Sequence, residues 1–370
     1  MTNLVNYYEI QISSWKYRVN EDSHGKWVGF TFLPKTLLFF VVFCFILLKA
    51  CGNPKLTQYK LLIRQAKIIS FLNRLWSFIR LTRVIFLLGG FLLYALGAAL
   101  AVRNGIKIDW SLYLLGQVVV TSIQLMAQYL NVYYDREVDN LSTANRTWFS
   151  GGSGILSNGI ISPTSVLTAA RNCGVFALFA GIFSSLHSIW MIPIILFSLF
   201  GSWFYSSPPL SLMSSGWGEL STSIIVTLLV PMAGYSIQGS FPKGEFWLMW
   251  FPLFLVHFAM LIAFEIPDQG VDQLVGKKTL TVRIGLKGAA YLSDALIGCA
   301  FLIVIILMSY SNYPGKWMLW VAPLAIFQLG LVHGIVLSPT RPRIFLLTTV
   351  ALSIFVLMAS LSLFGVIFVV

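Results

Sequence analysis

The run Gln128–Asn140, QYLNVYYDREVDN, closes an apolar stretch that begins near Trp110. In a helix turning about 100° per residue, positions four apart drift by only about 40°. Asn131, Asp135 and Asp139 therefore share one face. Gln117, Gln124 and Gln128 fall in the same sector, so a polar stripe runs down an apolar helix and ends in two carboxylates. Polar groups in a membrane helix face the bundle interior or a water-filled cavity. The stripe predicts a cavity opening where the acids lie. The plain alternative is that Asp135 and Asp139 cap a solvated helix end; the aligned glutamines argue against it.

The chain has 370 residues, of which 57% are apolar and 10% charged, with a mean hydropathy of +0.81. Soluble domains carry about 25% charged residues. The fold class expected is an all-α polytopic membrane protein. Nine segments suit bilayer crossing, which takes about 20 helical residues: Val84–Val102, Trp110–Leu130, Val166–Leu186, Ser188–Tyr205, Glu219–Ser236, Phe246–Ile266, Gly288–Tyr310, Trp317–Val336 and Ile344–Val370. They predict a nine-helix transmembrane bundle around a central cavity over residues 76–370. The third and fourth segments form a tight hairpin or are one region split in two. Residues 1–75 read as an N-terminal extension, with an extra hydrophobic segment near Thr36 to Leu48 that is short for a span. No strand is expected, since an open sheet edge cannot sit in lipid. Cys44, Cys51, Cys173 and Cys299 make no CxxC pair, and the four histidines make no HExxH, so neither a zinc site nor a disulfide framework is implied.

The net charge of +12 is spread over short loops, which speaks for topology and anionic lipid rather than nucleic acid. With the segment before the first span inside, the inner side holds Arg64, Lys67, Arg74, Arg80, Arg83, Arg136, Arg146, Lys277, Lys278, Arg283, Lys287, Arg341 and Arg343. The outer side holds Arg103, Lys107, Lys243 and Lys316. This positive-inside bias puts the acid-bearing face in the cytoplasm, in the plasma membrane or, for a bacterial chain, the inner membrane.

A second acidic run lies on that face: Phe264–Leu280, FEIPDQGVDQLVGKKTL. Asp268 and Asp272 repeat the four-residue spacing. Glu265 and His257 share their sector, although Pro267 interrupts the helix and alters the phase. His257 alone reads better as a core histidine. Acids are scarce, at 13 in the whole chain, so two such groups carry weight. Asp135, Asp139, Asp268 and Asp272 bring −4 and a diphosphate about −3, which cannot share a poorly hydrated site unaided. Mg²⁺, with Lys and Arg, would balance them. It prefers oxygen ligands from a few carboxylates, waters and phosphate oxygens, and Asn131 offers a neutral one.

These residues resemble the UbiA-type intramembrane prenyltransferases. Asn131-x-x-x-Asp135-x-x-x-Asp139 resembles their first motif, and Asp268-x-x-x-Asp272 with Gly276-Lys277-x-Thr279-Leu280 their second. Ser150–Pro163, SGGSGILSNGIISP, looks like the stretch after motif one in the branch with the dihydroxynaphthoate prenyltransferases of menaquinone synthesis. Tyr205–Glu219 is similar to the family's segment between helices four and five, and Ile79–Leu88 to the lead-in of its first helix. The resemblance covers about residues 75–370. It implies Mg²⁺-dependent ionisation of a prenyl diphosphate, with Asn131, Asp135, Asp139, Asp268 and Asp272 on metal and diphosphate. Asp135 and Asp268 are the catalytic expectations, and Arg83, Arg146 and Lys277 the phosphate clamps. Two departures stand out: Leu210–Ser215 lacks the usual Lys or Arg, and Phe264 stands where many relatives carry Asn.

Breaking an allylic C–O bond develops charge on the leaving diphosphate, which cations stabilise. A membrane-buried cavity keeps water from the allylic cation. The partners expected are a prenyl diphosphate, an aromatic or lipid-soluble acceptor, and the bilayer. Tyr133 and Tyr134 are near enough in sequence to face the cation, but read better as interfacial tyrosines. Asp294 is either a third acid in the cavity or a headgroup-level residue in a local hydrogen bond. The glycines of Ser150–Gly154 suggest a lid. The same scaffold would serve a terpene cyclase, and intramembrane acids also suit an ion-coupled transporter.

Overall fold

The computed structural model describes residues 6–12, 15–21, 68, 71–73, 75–141, 155–156, 159, 161–310, 313–338 and 340–368. The chain divides into two compact units, Met1–Arg74 and Leu75–Val370. In the first, β1 (Asn6–Ile12) pairs antiparallel with β2 (Trp15–Glu21), Tyr8 opposite Val19. This hairpin departs from the expectation that no strand forms. The apolar segment at residues 36–48 lies outside the described residues, as do Arg146 and the glycine loop at 150–154.

The regular elements among the second unit's described residues are helices: α1 (Val84–Arg103), α2 (Trp110–Tyr134), α3 (Arg136–Leu141), α4 (Pro163–His187), α5 (Met191–Ser206), α6 (Gly218–Ser236), α7 (Glu245–Glu265), α8 (Gln269–Leu274), α9 (Leu280–Leu307), α10 (Pro314–Leu337) and α11 (Arg341–Phe368). Local chemistry sets their ends. Asp109 caps α2, its Oδ1 accepting from the amides of Ser111 at 2.8 Å and Leu112 at 3.1 Å. Ser162 caps α4, with Pro163 at the first helical position. Among the described residues, eight helices are long and apolar enough to cross a bilayer. The ninth expected span is α5, whose 16 residues rise about 24 Å, short of the ~30 Å hydrocarbon core. By length, the described residues hold eight candidate spans and one shorter apolar helix. The residues expected as the third and fourth spans are separate helices, α4 and α5, packed together.

The helices close around one interior. α2 packs on α4 and α5, α7 on α9 and α11, and α1 on α6 and α11. The α1–α6 crossing is a backbone seam. A Cβ at Gly97 would strike the carbonyl of Pro231, and one at Gly234 the carbonyl of Tyr94. Small residues of this kind let membrane helices approach closely. The outer faces carry exposed apolar side chains, among them Phe179, Phe183 and Leu186 of α4 and Leu196, Phe197 and Phe200 of α5. Such surfaces need lipid around them. The protein is a multi-pass integral membrane protein.

Candidate functional site

Both acidic runs stand at breaks in helices. α2 stops at Tyr134; Asp135 is its C-cap, with its amide still bonded to the carbonyl of Asn131 at 2.9 Å. The chain bends there and restarts as α3. Arg136 covers an exposed helix-end carbonyl by donating from Nη1 to Tyr133 O at 2.7 Å. Asp139 sits on α3, beyond the bend. α7 stops at Glu265 ahead of Pro267, which has no amide to extend the ladder. Asp268 precedes α8, and the Asp272 amide bonds its carbonyl at 2.9 Å, preserving the four-residue spacing.

These two ends converge. Lys277 Nζ lies 3.2 Å from Asp135 Oδ1 and 3.5 Å from Asp272 Oδ1. The three side chains are only 8–13% exposed. Asn131 Nδ2 donates to Asp135 Oδ2 at 2.7 Å, holding that carboxylate from its own helix. Burial pushes the Asp135 carboxyl up from the ordinary aspartate range, with Lys277, the Asn131 hydrogen bond and Arg83 pulling the other way. Burial raises Asp272 as well; Lys277 opposes the rise and the Asp135 charge adds to it.

The loop after α8 explains the Gly276–Leu280 sequence. Gly276 has a positive φ of 76°, open to glycine. Lys277 turns back onto the acids. Thr279 caps α9, accepting from the Val282 amide. α9 then breaks at Gly285, where φ is +72°. It starts at Leu280, before the expected Gly288, because these turns lie ahead of the break.

The acids head a cavity of about 350 Å³. Arg83, Asn131, Asp135, Asp268, Asp272 and Lys277 all line it, as do Glu265 and His257. Its walls are apolar: Phe86 and Ile123, Met191 and Ile194, Met260 and Phe264, Leu352 and Phe355. Of the glutamine stripe, Gln124 and Gln128 line it, whereas Gln117 bonds Thr121 outside it. Asp294 is not in the cavity: its Oδ2 pairs with His333 Nε2 at 2.7 Å, which resolves its two readings in favour of a local bond. Tyr133 and Tyr134 pack edge to face at 5.0 Å, with Arg136 over the Tyr133 ring, and neither lines the cavity.

Two residues went unread in the sequence. Glu219, 2% exposed, opens α6, lies beside the Glu265 carboxyl, and accepts from the Leu280 amide at 3.1 Å. Arg283 donates to Ser215 O at 2.7 Å and Lys278 O at 3.0 Å, tying the α5–α6 loop to the second acidic run. No Lys or Arg stands in Leu210–Ser215; Met213 instead brings its sulfur 3.5 Å from Asn131 Nδ2.

Asp135 and Asp272, from separate helix ends, aim at one cation. The donor set is carboxylate and amide oxygen, which suits a hard divalent ion. Among the described residues no three His, Cys, Asp or Glu side chains close around a point.

An apolar cavity headed by carboxylates inside a multi-pass bundle defines an intramembrane enzyme of lipid substrates. Residues 91–355 match the UbiA prenyltransferase family, and the chain belongs to it: it is a prenyltransferase. It is 27% identical over 232 residues to the 1,4-dihydroxy-2-naphthoate octaprenyltransferase of Bacillus subtilis, a match spanning 62% of this chain and 72% of the relative. Its fold is similar to that of a UbiA homologue from Archaeoglobus fulgidus solved with DMAPP and Mg²⁺. That similarity has a TM-score of 0.54 at 18% identity and covers 80% of this chain and 100% of the other. Digeranylgeranylglyceryl phosphate synthase gives a TM-score of 0.53 at 17% identity, covering 80% and 99%.

Proposed function

We propose that this prenyltransferase moves a prenyl group from a prenyl diphosphate to a hydroxylated aromatic acceptor of the quinone-precursor class. In this reading it is Mg²⁺-dependent and works from the cytoplasmic face. The observation that carries the reading is the convergence of Asp135 and Asp272 on Lys277 at the head of an apolar cavity. The Bacillus relative's acceptor supports the aromatic class, and the Archaeoglobus homologue's ligands support the metal. The positive-inside bias supports the orientation.

Asp135, Asp268 and Asp272, with Asn131 and Asp139, hold metal and diphosphate in this proposal. Bound Mg²⁺ supplies Lewis-acid stabilisation of the charge that grows on the leaving diphosphate. Lys277 and Arg83, joined by Arg146, take phosphate oxygens. The prenyl C1–O bond breaks with its electron pair going to diphosphate. The apolar walls hold the chain and exclude water from the allylic cation. A ring carbon of the acceptor then bonds C1, and the ring regains aromaticity by losing a proton or its carboxyl group as carbon dioxide.

The test is incubation of purified protein with a prenyl diphosphate, Mg²⁺ and 1,4-dihydroxy-2-naphthoate. Metal-dependent diphosphate release with a prenylated ring product is expected. A cyclic hydrocarbon formed without acceptor would replace the transferase reading with a cyclase, and no diphosphate release under any condition would sink it.

A further inference from the structure

The lower cavity carries polar groups that a hydrocarbon chain cannot satisfy. Gln124 and His257 each lie eleven residues before the acid at their helix end, Asp135 and Asp268. For Gln124 that is about 16 Å of rise along α2 beneath its carboxylate, and His257 lies about 12 Å below the end of α7. Gln128 lies one turn above Gln124, and all three line the same cavity. The amide oxygens of Gln124 and Gln128 are buried with no hydrogen-bond partner among the described residues. His257, 3% exposed, is fixed: Nδ1 bonds Ser223 Oγ at 3.0 Å, and its ring packs edge to face on Phe355 at 4.7 Å. This leaves Nε2 as the ring nitrogen open to a ligand. Room for Gln124 is built in, since a Cβ at Gly90 would collide with its amide.

Buried polar atoms without partners cost free energy, and the cost falls away when a ligand completes them. A prenyl chain offers no donor or acceptor. A hydroxylated aromatic ring offers several, spread around a flat apolar body that suits the surrounding Phe and Met side chains. Sites of this make-up, mostly apolar with a few fixed polar groups, set ligand orientation.

We infer that Gln124, Gln128 and His257 form the acceptor subsite, binding the polar substituents of a hydroxylated aromatic ring beneath the diphosphate site. The inference rests on the transferase reading above and names where its second substrate sits. Ser223 is a positioning residue for His257. The prenyl chain takes the apolar remainder of the cavity.

The test uses full-length protein in lipid nanodiscs, with 1,4-dihydroxy-2-naphthoate as probe. Its binding is measured by equilibrium dialysis and its KM in the coupled reaction. His257→Leu and Gln128→Leu should each weaken acceptor binding and raise its KM about tenfold, the size of one lost hydrogen bond. The KM for prenyl diphosphate and the Mg²⁺ requirement should stay unchanged, and His257→Gln should restore part of the affinity. Unaltered protein, which needs no variant to fold, should bind the dimethyl ether of the probe about tenfold more weakly than the free hydroxyls. That penalty should shrink in Gln128→Leu, whose acceptor oxygen is the one a free hydroxyl would donate to. Equal binding of ether and hydroxyl forms overturns the inference. So does a rise in prenyl diphosphate KM with acceptor binding untouched, which would give these residues to the chain. Dialysis reads acceptor binding without turnover, so loss of diphosphate release in the unaltered protein would strike the transferase reading separately.

Discussion

The two acid-bearing helices end by different means. α7, which runs through Pro252, ends just ahead of a second breaker in its own sequence, Pro267. α2 has no proline or glycine near Asp135 and would run on as a helix in isolation. It bends where Asp135 meets Lys277, 142 residues away in sequence, and where Arg136 covers Tyr133 O. One half of the charged site is therefore local and rigid. The other is assembled by its partner. The first acid motif should depend on the second more than the reverse.

The largest test of that asymmetry removes the charges themselves. Asp135→Asn and Asp268→Asn should each lower turnover by about a hundredfold or more, the scale of losing a preorganised charge-stabilising group. Folding, followed by thermal melting in detergent, should persist. Near-normal turnover by either variant would remove both motifs from the chemistry.

Lys277→Met comes next. It strands two buried carboxylates, at a cost of about 3–5 kcal/mol in the metal-free protein. Mg²⁺ should recover most of the lost melting temperature, because it supplies the missing positive charge. A variant whose stability ignores Mg²⁺ would show that the two acids do not share a cation.

A smaller effect concerns pH. Asp135 and Asp272 are raised above the ordinary aspartate range by burial, so protons compete for them at higher pH than for exposed acids. Ligation needs the ionised form. The Mg²⁺ concentration for half-maximal activity should therefore rise as pH falls from neutral toward that raised range. A requirement that stays flat down to the usual carboxylate pKa would contradict the burial of the site.

The smallest effect separates the two stops directly. Arg136→Ala should cost about 0.5–1 kcal/mol, as loss of a cation at a helix C-terminus does. Its effect on the Mg²⁺ requirement should exceed that of Lys243→Ala, a change far from the acids in sequence. Equal effects would show that the α2 bend holds without its cap.

Much of this was legible in the sequence. Hydrophobic runs marked the helices, and four-residue spacing paired Asp268 with Asp272 across an intact turn. The bend at Asp135 was not legible, because its causes are a distant lysine and a neighbouring arginine's reach, neither of which leaves a local breaker. Glu219 carries no local signal, because its partner, the Leu280 amide 61 residues further on, is the first of α9, which Thr279 caps. Asp294 was ambiguous until His333 of α10 was placed beside it. The N-terminal hairpin did carry a signal. YYEIQI and WKYRVNE are β-prone runs two residues apart, and a membrane-wide argument against strands does not reach a segment outside the spans.

The placement of Lys277 has one more implication. The site carries its own counterion: one ammonium lies against both Asp135 and Asp272. In the proposed reading, Asp135 and Asp272 would hold the metal that arrives with a diphosphate, and Lys277, released from them, would take phosphate oxygens. Loading would then change the enclosed charge very little, which suits a binding site bordering hydrocarbon.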